Sequence, residues 1–310
     1  MDRSPFHAGE IAMQRAAGSA ARMREIGPRV IRDHLPDQHR EFFEQLPTLL
    51  VGSADAQQRP WASMLVGLPG FIDTPDERHL HVAALPRVED PLRAQLRVGA
   101  ALGVLGIEPQ TRRRNRLNGT IVAVDGEGFE LQVDQSFGNC PKYIQARAPR
   151  WVGNGTPLPA VRREVATLSG EAAEVIAAAD TFFIASTAPG EGVDVSHRGG
   201  RPGFVRVENE ASGSVLTFPD FVGNFFFNTL GNITAWPRAG LLFVDHDSGG
   251  VLQLTGGATI VAGGAEVEAF IGAQRLVRIT VEEGLWTPEA LPLRWSAPEV
   301  ASQLEATGHW

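Results

Sequence analysis

The sequence predicts a mainly β protein with flanking helices, built as two β-barrels in tandem. Two observations carry this prediction. Short apolar runs typical of strands recur from Thr48 to the C-terminal region, and helical periodicity is confined to segments between them. The second half of the chain also repeats the first. Because closing a sheet removes its exposed edges, each repeat is expected to form a barrel of about six strands with a helix at its front.

The repeat can be read directly from the residues. Residues 63–71 (SMLVGLPGF) match residues 196–204 (SHRGGRPGF) without a gap, and five of nine positions are identical. These segments lie 133 residues apart, and two further pairs align at a spacing of 133 or 137. Colinear matches at nearly one spacing indicate an internal duplication. The further pairs are 48–54 with 181–187, and 103–108 with 240–245.

The duplication predicts a first domain at 1–150 and a second at 161–310, joined by a Gly- and Pro-rich linker at 148–160. Asp125-Gly126, between two strand-like runs, predicts a hairpin turn. Helical spacing of apolar residues predicts helices at 8–24, at 29–46 with a break at Pro36, at 91–99 and at 161–180.

Charge and composition exclude several classes of function. A formal net charge of −8 argues against a nucleic-acid binder, which needs clustered Lys and Arg for phosphate contacts. The single cysteine, Cys140, rules out an intramolecular disulfide and a Cys-rich metal site. Asp245-His246-Asp247 is expected to be a turn, so no metal site is predicted. Without a long apolar segment or a signal region, we expect a cytoplasmic protein that does not enter a membrane.

Four segments of the second repeat carry a family resemblance: SHRGGRPGFVRV from Ser196, TFPDFVGNFFFNTLGNI from Thr217, PRAGLLFVD from Pro237 and VLQLTG from Val251. They resemble the pyridoxamine 5′-phosphate oxidase-like family of FMN-binding split β-barrels. FHAGEIAMQ and GNCPKYIQ in the first half resemble a tandem-barrel, flavin-nucleotide-binding subgroup. The resemblance implies two tandem split barrels, FMN as cofactor, and redox chemistry carried by the flavin.

The same resemblance places the flavin on the second repeat. A flavin phosphate is a dianion near neutral pH, and it needs a cation, hydroxyls and N–H groups, ideally at the start of a helix. Arg198 supplies the charge, and Asn228-Thr229 stand where classical family members carry an Arg-Lys pair. Because of that departure, the resemblance implies flavin binding more strongly than it implies the vitamin B6 chemistry of the classical family members. The predicted cofactor-binding residues are Ser196, His197, Arg198, Phe218, Pro219, Asn228, Thr229, Asn232 and Gln253.

Structural alternatives exist for several of these assignments. Arg198 can be a solvated strand arginine, and Asn228-Thr229 can simply cap a helix. His197 alternates with Ser196 and Arg198 along a strand, so its side chain is expected to face the other way.

The first repeat lacks the cation, because Met64-Leu65 replace His197-Arg198, and its site is expected to be degenerate. Its distinctive feature is a cluster of arginines after Thr111. This cluster is either a solvated hairpin tip or a second phosphate clamp, for FMN across a barrel–barrel interface or for a nicotinamide nucleotide. The arginines are Arg112, Arg113, Arg114 and Arg116.

The leading hypothesis for function is an FMN-dependent oxidoreductase of an unidentified small molecule, with NAD(P)H as a candidate electron donor. The sequence identifies no catalytic residue, and flavin chemistry needs no protein nucleophile. The alternative is a non-catalytic flavin- or haem-binding protein, with candidate haem ligands in His7, His79, His81 and His197. Tandem barrels could reproduce within one chain the dimer usual in this family, and a homodimer of the whole chain is a second candidate assembly.

Overall fold

The computed structural model describes residues 4–153 and 160–310. Three helices come first: α1 (Ala8–Ala16), α2 (Ala20–Val30) and α3 (Asp37–Glu44). The single helix predicted at 8–24 is therefore wrong. Gly18 adopts a left-handed conformation, with φ of 68°, and the chain turns there between α1 and α2. The break predicted at Pro36 is confirmed, since α3 begins directly after it.

Seven antiparallel strands form the first sheet: β1 (Thr48–Ala54), β2 (Pro60–Val66), β3 (Ile72–Asp73), β4 (His79–Val82), β5 (Ala101–Glu108), β6 (Arg113–Val124) and β7 (Phe129–Gly138). Their spatial order is β2-β1-β5-β6-β7-β4-β3. The hairpin predicted at Asp125 is confirmed, because Asp125 Oδ1 accepts hydrogen bonds from the N–H groups of Glu127 and Gly128. The helix predicted at 91–99 is a short 3₁₀ turn over Pro91–Gln95.

Between the sheets lie β8 (Pro149–Trp151), β9 (Arg162–Val165) and α4 (Gly170–Ala178). The single helix predicted at 161–180 is wrong in its first part, which is the strand β9. Ser169 begins the helix by accepting a hydrogen bond from the N–H of Ala172. Part of the predicted linker, residues 154–159, lies outside the described residues.

The second sheet repeats the first. Its seven main strands, taken in chain order, occupy the same places in the sheet as the seven strands of the first sheet. The last of them in the chain, Arg275–Thr287, pairs in addition with β9. In the described ranges no helix is both long and apolar enough to cross a membrane. The remaining elements are β10 (Thr181–Ala188), β11 (Gly192–Gly199), β12 (Arg206–Glu210), β13 (Gly213–Asp220), α5 (Asn228–Ala235), β14 (Arg238–Val244), β15 (Val251–Val261), α6 (Ala265–Ala269), β16 (Arg275–Thr287) and β17 (Leu293–Trp295), which pairs with β8.

The equivalent strands β6 and β15 bend at equivalent glycines. The register shifts next to Gly119 in β6 and next to Gly256 in β15, positions that the 137-residue spacing pairs. A Cβ at either glycine would overlap a carbonyl oxygen of the neighbouring strand. The bend that curls each sheet into a split barrel therefore requires glycine at both positions.

The two sheets pack against each other within one chain. On β1, Leu49 and Val51 enter the core of the first barrel, whereas Leu50 points into a cluster shared with the second sheet. On β10, Phe182 enters the second core and Phe183 enters the shared cluster. Strands buried on both faces read as continuous apolar runs, which is why TLLV and TFFI show no polar alternation.

Glycines at equivalent positions permit this close packing. Gly103 of β5 lies on β11, where an added Cβ would be 2.5 Å from the carbonyl oxygen of Val193. Gly240 of β14 lies on β2, where an added Cβ would be 2.7 Å from Trp61 Cα. The contact of β5 with β11 is therefore equivalent to the contact of β14 with β2, so the two repeats pack with the self-complementary symmetry of an isologous dimer. The homodimer of whole chains stays a prediction.

We expect Gly240→Ala to lower the free energy of unfolding by about 1–3 kcal/mol, because the added methyl overpacks the contact with β2. Gly257→Ala is the matched control, since no atom lies within 4 Å of the Cβ it would add. Urea unfolding followed by tryptophan fluorescence measures both variants. Equal midpoints for the two would contradict the close packing of the sheets.

Candidate functional site

A cleft of about 400 Å³ opens where β11 of the second sheet meets β6 of the first and the start of α5. We call it the basic cleft, because five cationic side chains and one carboxylate line it. Its volume is within the usual range of a small-molecule site. The charged lining residues are Arg114, Arg116, Lys142, Arg198, Arg275 and Asp220, and the polar ones include Ser196, His197, Asn228 and Thr229.

His197 presents an N–H group that has no partner. Burial, followed by the charge of Arg114, holds the pKa of His197 well below its usual value, so the imidazole is neutral at physiological pH. Arg114 lies 3.0 Å from His197 Nδ1. A guanidinium can only donate, so Nδ1 accepts and the proton is on Nε2. That buried Nε2 finds no acceptor among the described residues.

Arg114 itself is available to an anion. Burial in the wall of the cleft, with the charges of Arg116 and Arg198, lowers the pKa of Arg114 to about 10, which leaves it charged at neutral pH. In the described part of the chain it forms no ion pair with a carboxylate, and its buried Nε has no acceptor. An uncompensated buried cation is costly, so this arrangement favours the binding of an anion.

Arg198 and Arg275 share one acid. Arg198 donates to Asp220 Oδ1 over 2.7 Å, and Arg275 donates to Oδ2 over 3.3 Å. Asp220 therefore neutralises only one of the two charges. The Nε of Arg198 is buried and without an acceptor in the described ranges. Arg198 is therefore half compensated, and it adds a second unfilled donor to the cleft.

Arg116 belongs to a buried network beneath the cleft. It donates to Asp194 over 2.5 Å and to Asn228 over 3.1 Å. Asn228 in turn donates to Glu10 of α1 over 2.6 Å. Burial, followed by the charge of Asp194, raises the pKa of Glu10 to about 8, so Glu10 is mostly protonated at neutral pH. Arg116 and Asp194 then compensate each other.

Helix α1 is held on α5 by two glycines. A Cβ on Gly231 would be 2.6 Å from the nitrogen of Glu10, and one on Gly9 would overlap the carbonyl oxygen of Gly231. His7 and Asn232 form a hydrogen bond of 2.9 Å across the same contact. A segment from the start of the chain therefore supports the cleft of the second sheet.

Three aromatic residues that line the cleft have left-handed backbones. The φ angles are 66° at Tyr143, 66° at Phe225 and 63° at Phe227. Such conformations cost roughly 1–3 kcal/mol each in non-glycine residues and cluster at functional sites. Phe227 precedes α5, whose first turn receives no hydrogen bond from a capping side chain in the described structure. Its leading N–H groups are therefore left for a ligand.

Three of the predicted cofactor residues lie away from the cleft. Phe218 is fully buried in the second core, with its ring 4.9 Å from that of Phe182. Asn232 is buried in the network with Asp194. Gln253 donates to the first repeat and lines a different cleft. The others, Ser196, His197, Arg198, Pro219, Asn228 and Thr229, line the basic cleft.

The arginine cluster divides by strand alternation. Arg114 and Arg116 of β6 point into the basic cleft, so the first repeat reaches the site of the second across the interface. Arg113 lies over the ring of Phe42, 4.8 Å from its centroid. Arg112 donates to the carbonyl oxygen of Ile144. The alternative of a solvated hairpin tip is therefore wrong for the two arginines in the cleft.

The sequence did not point to Glu10, Asp194, Asp220, Lys142 or Arg275. Their contacts join residues far apart in the chain, and no local pattern marks them apart from the resemblance of FHAGEIAMQ and GNCPKYIQ. Within residues 4–153 and 160–310 no group of three or more His, Cys, Asp and Glu side chains could hold a metal. Asp245 Oδ1 accepts from the N–H of Asp247, which makes that segment a turn.

No protein-family model and no curated protein matches the chain. Similar solved structures include a putative pyridoxamine 5′-phosphate oxidase from Lactobacillus delbrueckii (12% identity, 39% of this chain and 94% of that chain, TM-score 0.30). A second is HutZ, a heme storage protein from Vibrio cholerae (14%, 39% and 95%, 0.27). A third is an FAD-binding protein from Mesorhizobium loti (15%, 41% and 98%, 0.25).

This chain resembles the pyridoxamine 5′-phosphate oxidase-like split barrels. The prediction of a mainly β chain built from two tandem repeats is confirmed by the matching strand orders of the two sheets. The ligands named for these three proteins are theirs alone.

The buried carboxyl of Glu10 predicts a specific pH dependence. Its folded-state pKa of about 8 lies above the usual glutamate value of 4.5, so its contribution to stability is lost as pH rises through that interval. We expect Glu10→Gln to raise the Tm relative to the unmodified protein, by more at pH 9 than at pH 6. About 1 kcal/mol corresponds to roughly 2–4 °C. Calorimetry measures the difference, and Glu41→Gln, at an exposed position, is the control. A pH-independent difference would contradict the assignment.

Proposed function

We propose that this chain binds one FMN in the basic cleft and uses it as an oxidoreductase of a small molecule, with NAD(P)H as electron donor. The observation that carries the proposal is that three unfilled buried donors belong to side chains lining the same cleft as the start of α5. They are His197 Nε2, Arg114 Nε and Arg198 Nε.

These donors fit a phosphate dianion. Charge-assisted hydrogen bonds from guanidinium groups are the strongest that a phosphate receives from side chains, and the free N–H groups of a helix start add to them. The hydroxyl groups of Ser196 and Thr229, 3.0 Å apart, lie at the same end of the cleft. The N–H on His197 Nε2 suits an oxygen acceptor of the cofactor.

The rest of the cleft fits a planar apolar group. Leu105, Tyr143 and Phe225 are among its lining side chains, next to the backbone of Gly199. When bound, FMN would supply the electron-transfer chemistry, and the protein would bind, orient and shield it. Lys142, which has no acidic partner within the described residues, places a further positive charge at the cleft for an anionic substrate or donor.

Haem is the less suitable planar ligand for this site. An imidazole that ligates iron through Nε2 usually donates from Nδ1 to an acceptor, which raises its basicity. His197 has the reverse arrangement, since its Nδ1 accepts from Arg114. His79 and His81, the other candidates on β4, have Nδ1 within 2.9 and 2.8 Å of carboxylates, but neither residue lines the basic cleft. The position of His197 as a hydrogen-bond donor therefore favours flavin.

We expect Arg114→Met to weaken FMN binding by about tenfold to a hundredfold, since a hydrogen bond to a charged group contributes roughly 1.5–3 kcal/mol. Arg113→Met is the matched control, because Arg113 precedes it on the same strand but faces Phe42. Fluorescence titration with FMN gives both affinities. If the two variants bind FMN equally well, the phosphate does not lie at Arg114.

The redox part of the proposal has a separate test. We expect the purified protein to be yellow, with one FMN per chain, and to lose its flavin absorbance when NADPH or NADH is added without oxygen. A flavin that neither nucleotide reduces would contradict the choice of electron donor. If the isolated protein shows a Soret band and no flavin, the choice of FMN is wrong.

A further inference from the structure

A second cleft, of about 750 Å³, opens at the positions equivalent to the basic cleft. It lies between β2 of the first sheet and β15 of the second, whereas the basic cleft lies between β11 and β6. We call it the apolar cleft after the apolar side chains in its walls; its charged lining residues are Arg87, Glu89, Asp90, Glu289 and Arg294. The repeat spacing shows what replaces four polar side chains of the basic cleft: Met64 stands for His197, Leu65 for Arg198, Val251 for Arg114 and Gln253 for Arg116.

At the position equivalent to the residue that precedes α5 in the basic cleft, the apolar cleft has a carboxyl group. Asp90, equivalent to Phe227, accepts a hydrogen bond of 2.6 Å from Ser63 through Oδ1. Its Oδ2 receives only a long contact, 3.3 Å, from Gln253. Oδ2 therefore retains capacity to accept from a ligand.

Among the described residues, the arginines of the apolar cleft are already paired within the protein, so they do not form a donor set for a phosphate. Arg294, at its rim, donates to the carbonyl oxygens of Leu291 and Leu293 over 2.9 and 2.8 Å. Arg87 lies 3.7 Å from Glu89. An anion in the apolar cleft would be repelled by the carboxylate of Asp90, whereas in the basic cleft it would be attracted by the guanidinium of Arg114.

We propose that the apolar cleft binds an uncharged, mainly apolar small molecule that donates one hydrogen bond to Asp90. The walls supply apolar contact through Met64, Val66, Val251 and Leu285, and the cavity has the size of a small-molecule site. This site is separate from the flavin site and does not depend on the flavin proposal.

Two dyes with one skeleton test the chemistry. N-phenyl-1-naphthylamine is uncharged and carries one N–H donor, and 8-anilino-1-naphthalenesulfonate adds an anionic group. We expect saturable, one-to-one binding of the uncharged dye to the full chain with FMN in excess, and at least about tenfold weaker binding of the sulfonate, or about 1.4 kcal/mol. Equal or tighter binding of the sulfonate would overturn the proposal, as would displacement of the uncharged dye by FMN.

Variants locate the dye. Met64→Trp fills the cleft from a half-buried position and is expected to weaken binding of the uncharged dye at least about tenfold. Leu68→Trp, at an exposed position beyond the same strand, is the control and is expected to leave the affinity for the dye unchanged. Val66→Trp, also half-buried, is the second variant, and thermal unfolding checks that each is folded. Unchanged affinity in a folded Met64→Trp or Val66→Trp would refute the site. Arg114→Met is expected to retain the dye, so failure of the flavin proposal stays distinguishable.

Discussion

The packing of the two sheets on each other is the contact on which both clefts depend. Gly103 and Gly240 allow the backbones to approach so closely that β6 of one sheet reaches β11 of the other. Each cleft is then built from the second strand of one repeat and the sixth strand of the other. Neither repeat holds a complete set of lining residues. A larger side chain at either glycine would separate the strands that carry the cleft, although it touches no residue of the site itself.

The charges in the basic cleft are arranged so that part of them stays uncompensated. Arg116 is matched by Asp194, and protonation of Glu10 prevents a second negative charge from competing there. Arg114 receives no such partner among the described residues, and its neighbour His197 is neutral. Burying a cation without a counter-ion lowers stability, and a fold retains such a cost where function requires it. The left-handed backbones at Phe225 and Phe227 add strain at the same place.

Much of the fold could be predicted from the sequence because the duplication presents the same pattern of strands and turns twice in one chain. The 137-residue spacing pairs Gly119 with Gly256, and in the structure the register of both sheets shifts at these two positions. Strand alternation placed His197 towards the interface, where Phe183 packs on it, but its side chain still lines the same cleft as Ser196 and Arg198. The contact of α1 with α5 could not be predicted, because it joins residues more than 200 positions apart through Gly9 and Gly231. Nothing local distinguishes such a helix from one packed on its own sheet.

The placement of Gln253 shows why the site was harder to predict than the fold. It was assigned to the flavin because the family resemblance implies a glutamine near the flavin at this position. In the structure each cleft is lined by strands of both repeats, so Gln253 of β15 faces β2, and Arg116, its counterpart on β6, faces the basic cleft. Which cleft a residue joins therefore depends on how the barrels pair, which no single repeat encodes. In a homodimer of identical barrels, a substitution changes both clefts at once. Within one chain the two copies differ, so one cleft can hold cations while the other holds Met64, Leu65 and Asp90.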